Sequence, residues 1–438
     1  MKVDKEMKNP CRELLNAGNS NVRPSKLSYF KTSAGDADSK NLYKFISCTV
    51  SGSRLFQLGY ETLGPLLYGF CQWLHERKVC LGLDKLLFLS RDGQIIKMAY
   101  DIIYPSEDTQ YIYISRRGIT VPFIHFYDNL YDALEIIPLY RYTLLCTLLE
   151  IIGIDWQEHT GAIEKNGLNP GDCFTREQIF NDKKLESLFS DLHDVIYENS
   201  ANEYAAFKEY IESLNLDKTG IVDLGWTGRI QTALEKLVPS IDKSIKLHGL
   251  YMGIALDKSR ADGYLYDREN TKLKISVRGF IGFFETLFSA DHGSLKRYLP
   301  NKKVELFDFE YETDNDLKKT YEEIVELQRG GLAFVKGFTG SSISKQVVWK
   351  PSLAFRGIYN LGVTPSCSDL NRMGDWCFLN NNKLYRLAHP SKDAYLHLSC
   401  LKKDFSTSYW KIGYLKRLLK IPLPYLRLYK FLYKRINP

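Results

Sequence analysis

One stretch of twelve residues constrains the fold more than any other: Gly220-Ile221-Val222-Asp223-Leu224-Gly225-Trp226-Thr227-Gly228-Arg229-Ile230-Gln231. Its apolar start reads as a buried strand, with Asp223 at the carboxyl end. A glycine turn follows, and a helix opens on Thr227-Gly228. A strand-loop-helix of this kind leaves backbone N–H groups unpaired at the helix start, aligned with the helix dipole. An anion, most often phosphate, suits such a place. The same residues also suit a plain βα turn with Thr227 as N-cap. The neighbouring segments decide between the two.

Those neighbours repeat the pattern. Leu63, Leu66, Leu67, Phe70, Cys71, Trp73 and Leu74 predict an apolar-faced helix over 60–78. Leu86-Leu87-Phe88-Leu89 predicts a fully apolar strand of the buried parallel type, ending in Ser90-Arg91-Asp92-Gly93. A helix over 94–103 follows, then a strand Tyr111-Ile112-Tyr113-Ile114 ending in Ser115-Arg116-Arg117-Gly118. Helix, strand, helix and strand in alternation is the signature of a doubly wound, mostly parallel α/β sheet. Helical readings over 131–152 and 185–214 interrupt it. The alternation resumes with strands over 220–224 and 245–254 and a helix over 227–237.

These readings divide the chain into six parts. Residues 1–40 read as a loose polar leader, and 41–124 as the first part of the α/β domain. Residues 125–215 read as a helical insertion capping the sheet's carboxyl edge, and 216–300 as the second part. The apolar run Gly279–Glu285 reads as strand-like. Residues 301–405 read as helical or irregular, with one helix over 311–334. Residues 406–438 read as a basic amphipathic tail.

Composition narrows the function classes. Of 438 residues, 44% are hydrophobic and 25% charged, which is ordinary for a globular chain. Nine cysteines occur without CxxC pairs or zinc-ligand spacing, so neither a disulfide framework nor a zinc site is expected. The start is polar rather than a signal peptide, no run of 18 apolar residues occurs, and a cytoplasmic location is expected. The formal net charge of +7 is concentrated at one end: Lys411 to Arg435 holds eight Lys or Arg and no Asp or Glu. Nothing else matches a nucleic-acid module, so no nucleic-acid partner is expected. Basic residues interleaved with Leu, Ile, Tyr and Phe suit an anionic membrane surface, or a docked helix with a solvated basic face.

Three consecutive strand ends carry unusual chemistry. If the strands are parallel neighbours, Ser90, Arg91, Asp92 and Gly93 meet Arg116, Arg117 and Asp223 on one sheet edge. Arginine forks suit phosphate oxygens, and carboxylates suit hydroxyls or Mg²⁺. The composite is a site for a polyphosphorylated small molecule.

The order of these loops resembles that of type I phosphoribosyltransferases. Those have a pyrophosphate loop, a second strand end with a basic residue, then a strand running into an acidic pair and Thr-Gly. The resemblance implies that Asp223 holds ribose hydroxyls. Gly225, Trp226, Thr227, Gly228 and Arg229 would surround the 5-phosphate. Arg91, Gly93 and Arg116 would hold pyrophosphate with Mg²⁺, the metal being carried mainly by the donor, and Ser90 and Arg117 would complete the donor site. The acidic pair is here reduced to Asp223-Leu224, and Asp92 is an extra carboxylate, a candidate general base or a loop-ordering residue.

The combination FLSRDG, YIYISRRG, VDLGWTGRIQ, LHGLYMGIA and ETLFSADHGS is similar to a group of bacterial surface-polysaccharide proteins. They are often labelled haloacid-dehalogenase-like hydrolases. Members transfer 5-phosphoribofuranose from phosphoribosyl pyrophosphate to a lipid-linked glycan of O-antigen or capsule, and a separate phosphatase acts next. The resemblance implies a glycosyltransferase peripheral at the inner face of the cell membrane.

Two other readings stand beside it. A haloacid-dehalogenase phosphatase needs a second carboxylate two residues after its nucleophilic aspartate, where this chain has Gly225 or Gln94. A non-catalytic scaffold of a polysaccharide complex is the third. Glu285, His292 and Ser294 form a further polar cluster, either an acceptor contact or, for His292, a turn residue satisfied locally.

Overall fold

The computed structural model describes residues 27–32, 36–136, 139, 142–226, 228–237, 247–255, 260–380 and 383–436. Its centre is α/β. Strand β1 (Lys85–Leu89) is buried along its whole length. Strand β2 (Thr109–Ile112) follows, and β3 (Tyr142–Leu144) pairs with β4 (Cys173–Thr175) outside the main sheet. Strands β5 (Thr219–Trp226), β6 (His248–Ile254) and β7 (Ala261–Gly263) complete a five-stranded, all-parallel sheet in the order β2-β1-β5-β6-β7. The order turns back between β1 and β5, so a crevice opens over the carboxyl ends of those two strands.

Alternation along the strands explains why both faces are covered. Leu86 and Phe88 of β1 point into a large core with Val222, Leu224, Leu250 and Met252. Helices α1 (Gly64–Cys80), α2 (Gly93–Ile103) and α6 (Asn315–Thr339) supply the other side of that core. Leu87 and Leu89 point the opposite way, onto Ile112, Ile221 and the residues Phe207, Tyr210 and Ile211 of α4 (His193–Ser213). Between α2 and α4, the short α3 (Arg116–Thr120) opens directly after β2. Helix α5 (Arg229–Leu237) follows β5.

Several expectations change. The insertion has its own hydrophobic core, built on Leu134, Leu148, Leu149, Ile163 and Leu188. Its first expected helix is broken into Leu130–Ile136 and Leu145–Ile151 with β3 between, and its second is split by Leu192. The apolar run after Gly279 is not a strand but the helix Ile281–Thr286, whose Phe283 and Phe284 are buried. A short apolar run carries no period that separates strand from helix, and packing decides it here. The leader is not loose where it is described, because Tyr29 and Phe30 are buried in the main core.

The carboxyl-terminal region joins that core too. After β8 (Leu295–Leu299) and β9 (Lys303–Leu306) come α6 and the hairpin β10 (Cys377–Asn380) and β11 (Lys383–Arg386). Helices α7 (Lys411–Leu419) and α8 (Tyr425–Ile436) then pack back. Trp410 and Ile412 are fully enclosed, and the Trp410 ring stacks on Phe283 at 4.2 Å. The basic stretch is thus no detachable tail. Removing it would open the main core. No helix among the described residues is long and apolar enough to cross a membrane.

Candidate active site

Because β2, β1 and β5 are parallel neighbours, their three carboxyl-end loops open on one edge. A cleft of about 540 Å³ lies there, bordered by Ser90, Arg91, Asp92, Arg116, Asp223 and Gly228, among others. The helix Ile281–Thr286 contributes Glu285 and the turn before β8 contributes Ser294. Ile151 of the insertion borders one side, which places the insertion beside the mouth.

The turn after β5 is built by backbone conformation. Gly225 has φ +98°, Trp226 φ +66° and Gly228 φ +57°. A Cβ at Gly225 would sit 2.5 Å from the Gly253 carbonyl oxygen on β6, so only glycine fits. A tryptophan at positive φ is strained, and such residues cluster where function over-determines the backbone. Trp226 is held in place: its Nε1 donates to Glu285 Oε1 at 2.8 Å, its ring stacks on Tyr266 at 5.8 Å, and it meets the Phe284 ring at 5.7 Å. The tryptophan therefore orders the turn and Glu285 together. Thr227 and the side chain of Arg229 lie outside the described residues, while the backbone of Arg229 opens α5.

Three carboxyl groups share the cleft. Asp223 accepts a hydrogen bond from the Leu224 backbone N–H at 2.9 Å. Burial nevertheless pushes its pKa up to about 6, against the lowering pull of backbone N–H groups and of Arg116. Asp92 precedes α2 but makes no capping bond. Burial raises it well above the carboxylate range, and the charges of Asp223 and Glu285 add to that. Glu285 is also raised, chiefly by burial. Each ionised carboxyl makes the next one harder to ionise, so the cleft favours arriving positive charge.

The arginines divide into three roles. Arg116 is exposed at the cleft, and its guanidinium makes no hydrogen bond or ion pair with a described residue, although its charge lowers the pKa values of the cleft carboxyl groups. Arg91 is not free: it pairs with Glu310 and donates from Nη1 to Ser294 Oγ at 2.9 Å. Its backbone is left-handed at φ +73°, and its N–H donates to the Tyr111 hydroxyl at 2.7 Å. Arg117 is structural. Its guanidinium binds both oxygens of Glu203 at 2.8 and 3.1 Å, and it also reaches the carbonyls of Glu150 and Lys296. All three arginines border the cleft, but Arg91 and Arg117 already have carboxylate partners. Desolvated partners already neutralise two of them.

The remaining expected residues also separate. The Ser90 hydroxyl donates to the Ile114 carbonyl at 3.0 Å and so ties the ends of β1 and β2 together. Gly93 does not border the cleft; a Cβ there would meet the Phe88 backbone at 3.1 Å, so the glycine lets α2 fold tightly against β1. His292 is satisfied on both ring nitrogens, by Tyr111 Oη at 2.7 Å and the Gly293 carbonyl at 2.7 Å, and it does not border the cleft. Gln94 is held by Asp291 at 2.6 Å and offers no proton donor in place of a second aspartate. Tyr251 borders the cleft from β6 and Glu310 closes over Arg91. Neither is marked by any local pattern in the sequence.

No cluster of three His, Cys, Asp or Glu among the described residues is arranged to hold a metal ion by itself. The carboxyl groups and the guanidinium of Arg116 suit a metal that enters already bound to a polyphosphate.

The raised pKa values set a pH dependence. Asp223 in the fold holds its proton up to about pH 6, while the unfolded chain loses it near 3.8. Its stabilising contribution is therefore present below the unfolded value and is lost as pH rises through about 6. The shift of about two units corresponds to roughly 3 kcal/mol at most. Melting of the ligand-free protein at pH 5 and pH 8 should show a steeper loss for the natural chain than for Asp223→Asn. Equal slopes would remove this account of the cleft.

The chain matches no family model and no curated protein.

Proposed function

We propose that the protein is a glycosyltransferase that moves the 5-phosphoribosyl group of phosphoribosyl pyrophosphate onto a hydroxyl of a lipid-linked bacterial glycan, with inversion. The observation that carries this reading is the meeting of Asp92, Arg116 and Asp223 with the glycine turn in one cleft at the sheet's switch point. Asp223 would hold ribose hydroxyls, and the N–H groups of the turn around Gly225 and Gly228 would face the 5-phosphate. Arg116, the unpaired cation, would face the pyrophosphate. Mg²⁺ carried by that pyrophosphate supplies charge neutralisation for the leaving group.

No covalent nucleophile is needed. The bond from the anomeric carbon to pyrophosphate breaks as the acceptor oxygen bonds to the opposite face. The hydroxyl proton passes to a carboxylate, and pyrophosphate departs. Asp92 would take that proton, since its raised pKa makes it a stronger base than an exposed aspartate. It must be ionised to act, and the positive charge brought with the donor favours that form. An acceptor on a lipid carrier would be met on the cytoplasmic side of the membrane, and a separate phosphatase would then act on the phosphorylated product.

The deciding experiment incubates the protein with phosphoribosyl pyrophosphate, Mg²⁺ and a membrane-extracted glycan. Acceptor-dependent pyrophosphate release is expected. Inorganic phosphate released from a sugar phosphate would instead support a hydrolase, and neither product would leave a scaffold.

A further inference from the structure

We infer that the face made by residues 395–398, the loop 420–424 and the outer side of α8 docks onto a bilayer bearing anionic headgroups. The inference goes beyond the proposed transfer reaction and does not depend on it. Docking of α7 and α8 hides one side of the basic stretch and fixes what the other side presents. Leu396 is 76% exposed, Leu398 67%, Ile421 53% and Phe431 54%. Large aliphatic side chains this open cost free energy unless something covers them, and clustering marks an interaction site.

The pieces are adjacent. The Lys420 ammonium lies 5.8 Å from the centroid of the Tyr395 ring, and the Tyr395 hydroxyl reaches the Arg417 carbonyl at 3.4 Å. A groove of about 960 Å³ runs between them, bordered by Tyr395, Lys420, Ile421, Leu423 and Arg427. Pro422 and Pro424 flank Leu423, restricting the loop so that its apolar side chains cannot easily fold inward. Along α8, Arg427, Phe431, Lys434 and Arg435 fall at i, i+4, i+7 and i+8, and all are exposed. Tyr425 and Tyr429 point to the core.

Charge selects the occupant. No Asp or Glu occurs between Lys411 and Arg435. Lys420 and Arg427 flank Ile421 and Leu423, and of the nearby acids Asp375 is already paired with Arg417 and His389, which leaves Asp393, beside residues 395–398, as the acid at the edge of a mostly basic surface. A second copy of this chain would bring the same positive face and be repelled. A bilayer with anionic headgroups offers apolar depth beneath negative charge, which matches both parts of the surface. Long basic side chains can lie with their stems toward the acyl region and their heads among the phosphates.

The test is flotation of the full chain with phosphatidylcholine vesicles, with and without 30% phosphatidylglycerol (a composition of roughly the charge density used to probe anionic leaflets). Binding to the anionic vesicles is expected, with a fall of at least about tenfold on zwitterionic vesicles or in high salt. Ile421→Ser with Leu423→Ser, and separately Lys420→Glu with Arg427→Glu, should each lower binding about tenfold or more while the melting temperature stays unchanged. Equal flotation with both vesicle types, no flotation, or natural binding by either double variant would overturn the inference. A concentration-dependent dimer abolished by the same substitutions would overturn it too, assigning the face to a second copy. Acceptor-dependent pyrophosphate release in detergent tests the transfer reaction separately, so the two can fail independently.

Discussion

Asp223→Asn and Asp92→Asn are each expected to lower pyrophosphate release at least about a hundredfold, and up to about ten-thousandfold, without unfolding the protein. The two substitutions preserve shape. Asparagine at 223 can still accept the Leu224 N–H through its side-chain oxygen, so the turn should survive. What disappears is an ionisable carboxyl that the fold holds at a cost, since burial raises both groups and the charge of Asp223 raises Asp92 further. Melting at pH 8 should therefore be higher for Asp223→Asn, because pH 8 lies above its raised pKa of about 6, and unchanged or higher for Asp92→Asn. Activity lost with stability gained is what a site strained for function predicts, and a structural carboxylate predicts the reverse. The readouts are coupled pyrophosphate detection and thermal melting on the same preparations. Natural rates in either variant would remove that residue from the reaction, and a melting point several degrees lower would make it a structural residue.

Much of this cleft was legible in the sequence, for a simple reason. Strands β1 and β5 are continuous apolar runs that stop abruptly at charged residues, and a buried parallel strand has few other ways to be written. Once they were parallel neighbours, the meeting of Asp92 and Asp223 followed from geometry. The partners of the arginines were not legible. Glu310 lies 219 residues from Arg91 and Glu203 lies 86 from Arg117, and no local pattern announces either pair. The two adjacent arginines of Ser115-Arg116-Arg117 look alike in the sequence and both border the cleft, yet only Arg117 is paired with Glu203. The basic stretch misled differently. The Lys411 ammonium binds the carbonyls of Phe405, Ser406 and Ser408, and burial lowers its pKa to about 8. Lys416 likewise binds the Pro365 carbonyl, and Arg417 binds Asp375 and the Ala388 carbonyl, so three of the eight cations counted in the basic stretch are fastenings of the fold.

Arg117→Leu should destabilise the protein by about 3–5 kcal/mol, because it strands the Glu203 carboxylate in a desolvated place. The Glu203 side chain is 8% exposed and Arg117 11%, so water cannot replace the lost partner. This pair, with the Arg117 bonds to the Glu150 and Lys296 carbonyls, ties the insertion and β8 to the end of β2. Adding Glu203→Leu should restore most of the loss, since a well-packed apolar pair removes the unpaired charge. Arg116→Leu should do the opposite. With no ion pair to break, its melting temperature should stay close to the natural value at pH 5, and fall modestly at pH 8, where the buried carboxyl groups lose the cation that eases their ionisation. Removing one charge-assisted contact of about 1.5–3 kcal/mol should weaken capture of phosphoribosyl pyrophosphate roughly 10- to 100-fold. Melting curves and kcat/KM for the donor, measured on both single variants and the Arg117–Glu203 double, separate the two roles. If Arg117→Leu melted like the natural chain but lost donor binding, Arg117 would belong to the cleft's chemistry and Glu203 would be its counter-ion at rest. If both variants behaved as described, neighbouring arginines differing in whether a carboxylate partner holds them would have divided anchoring from anion capture.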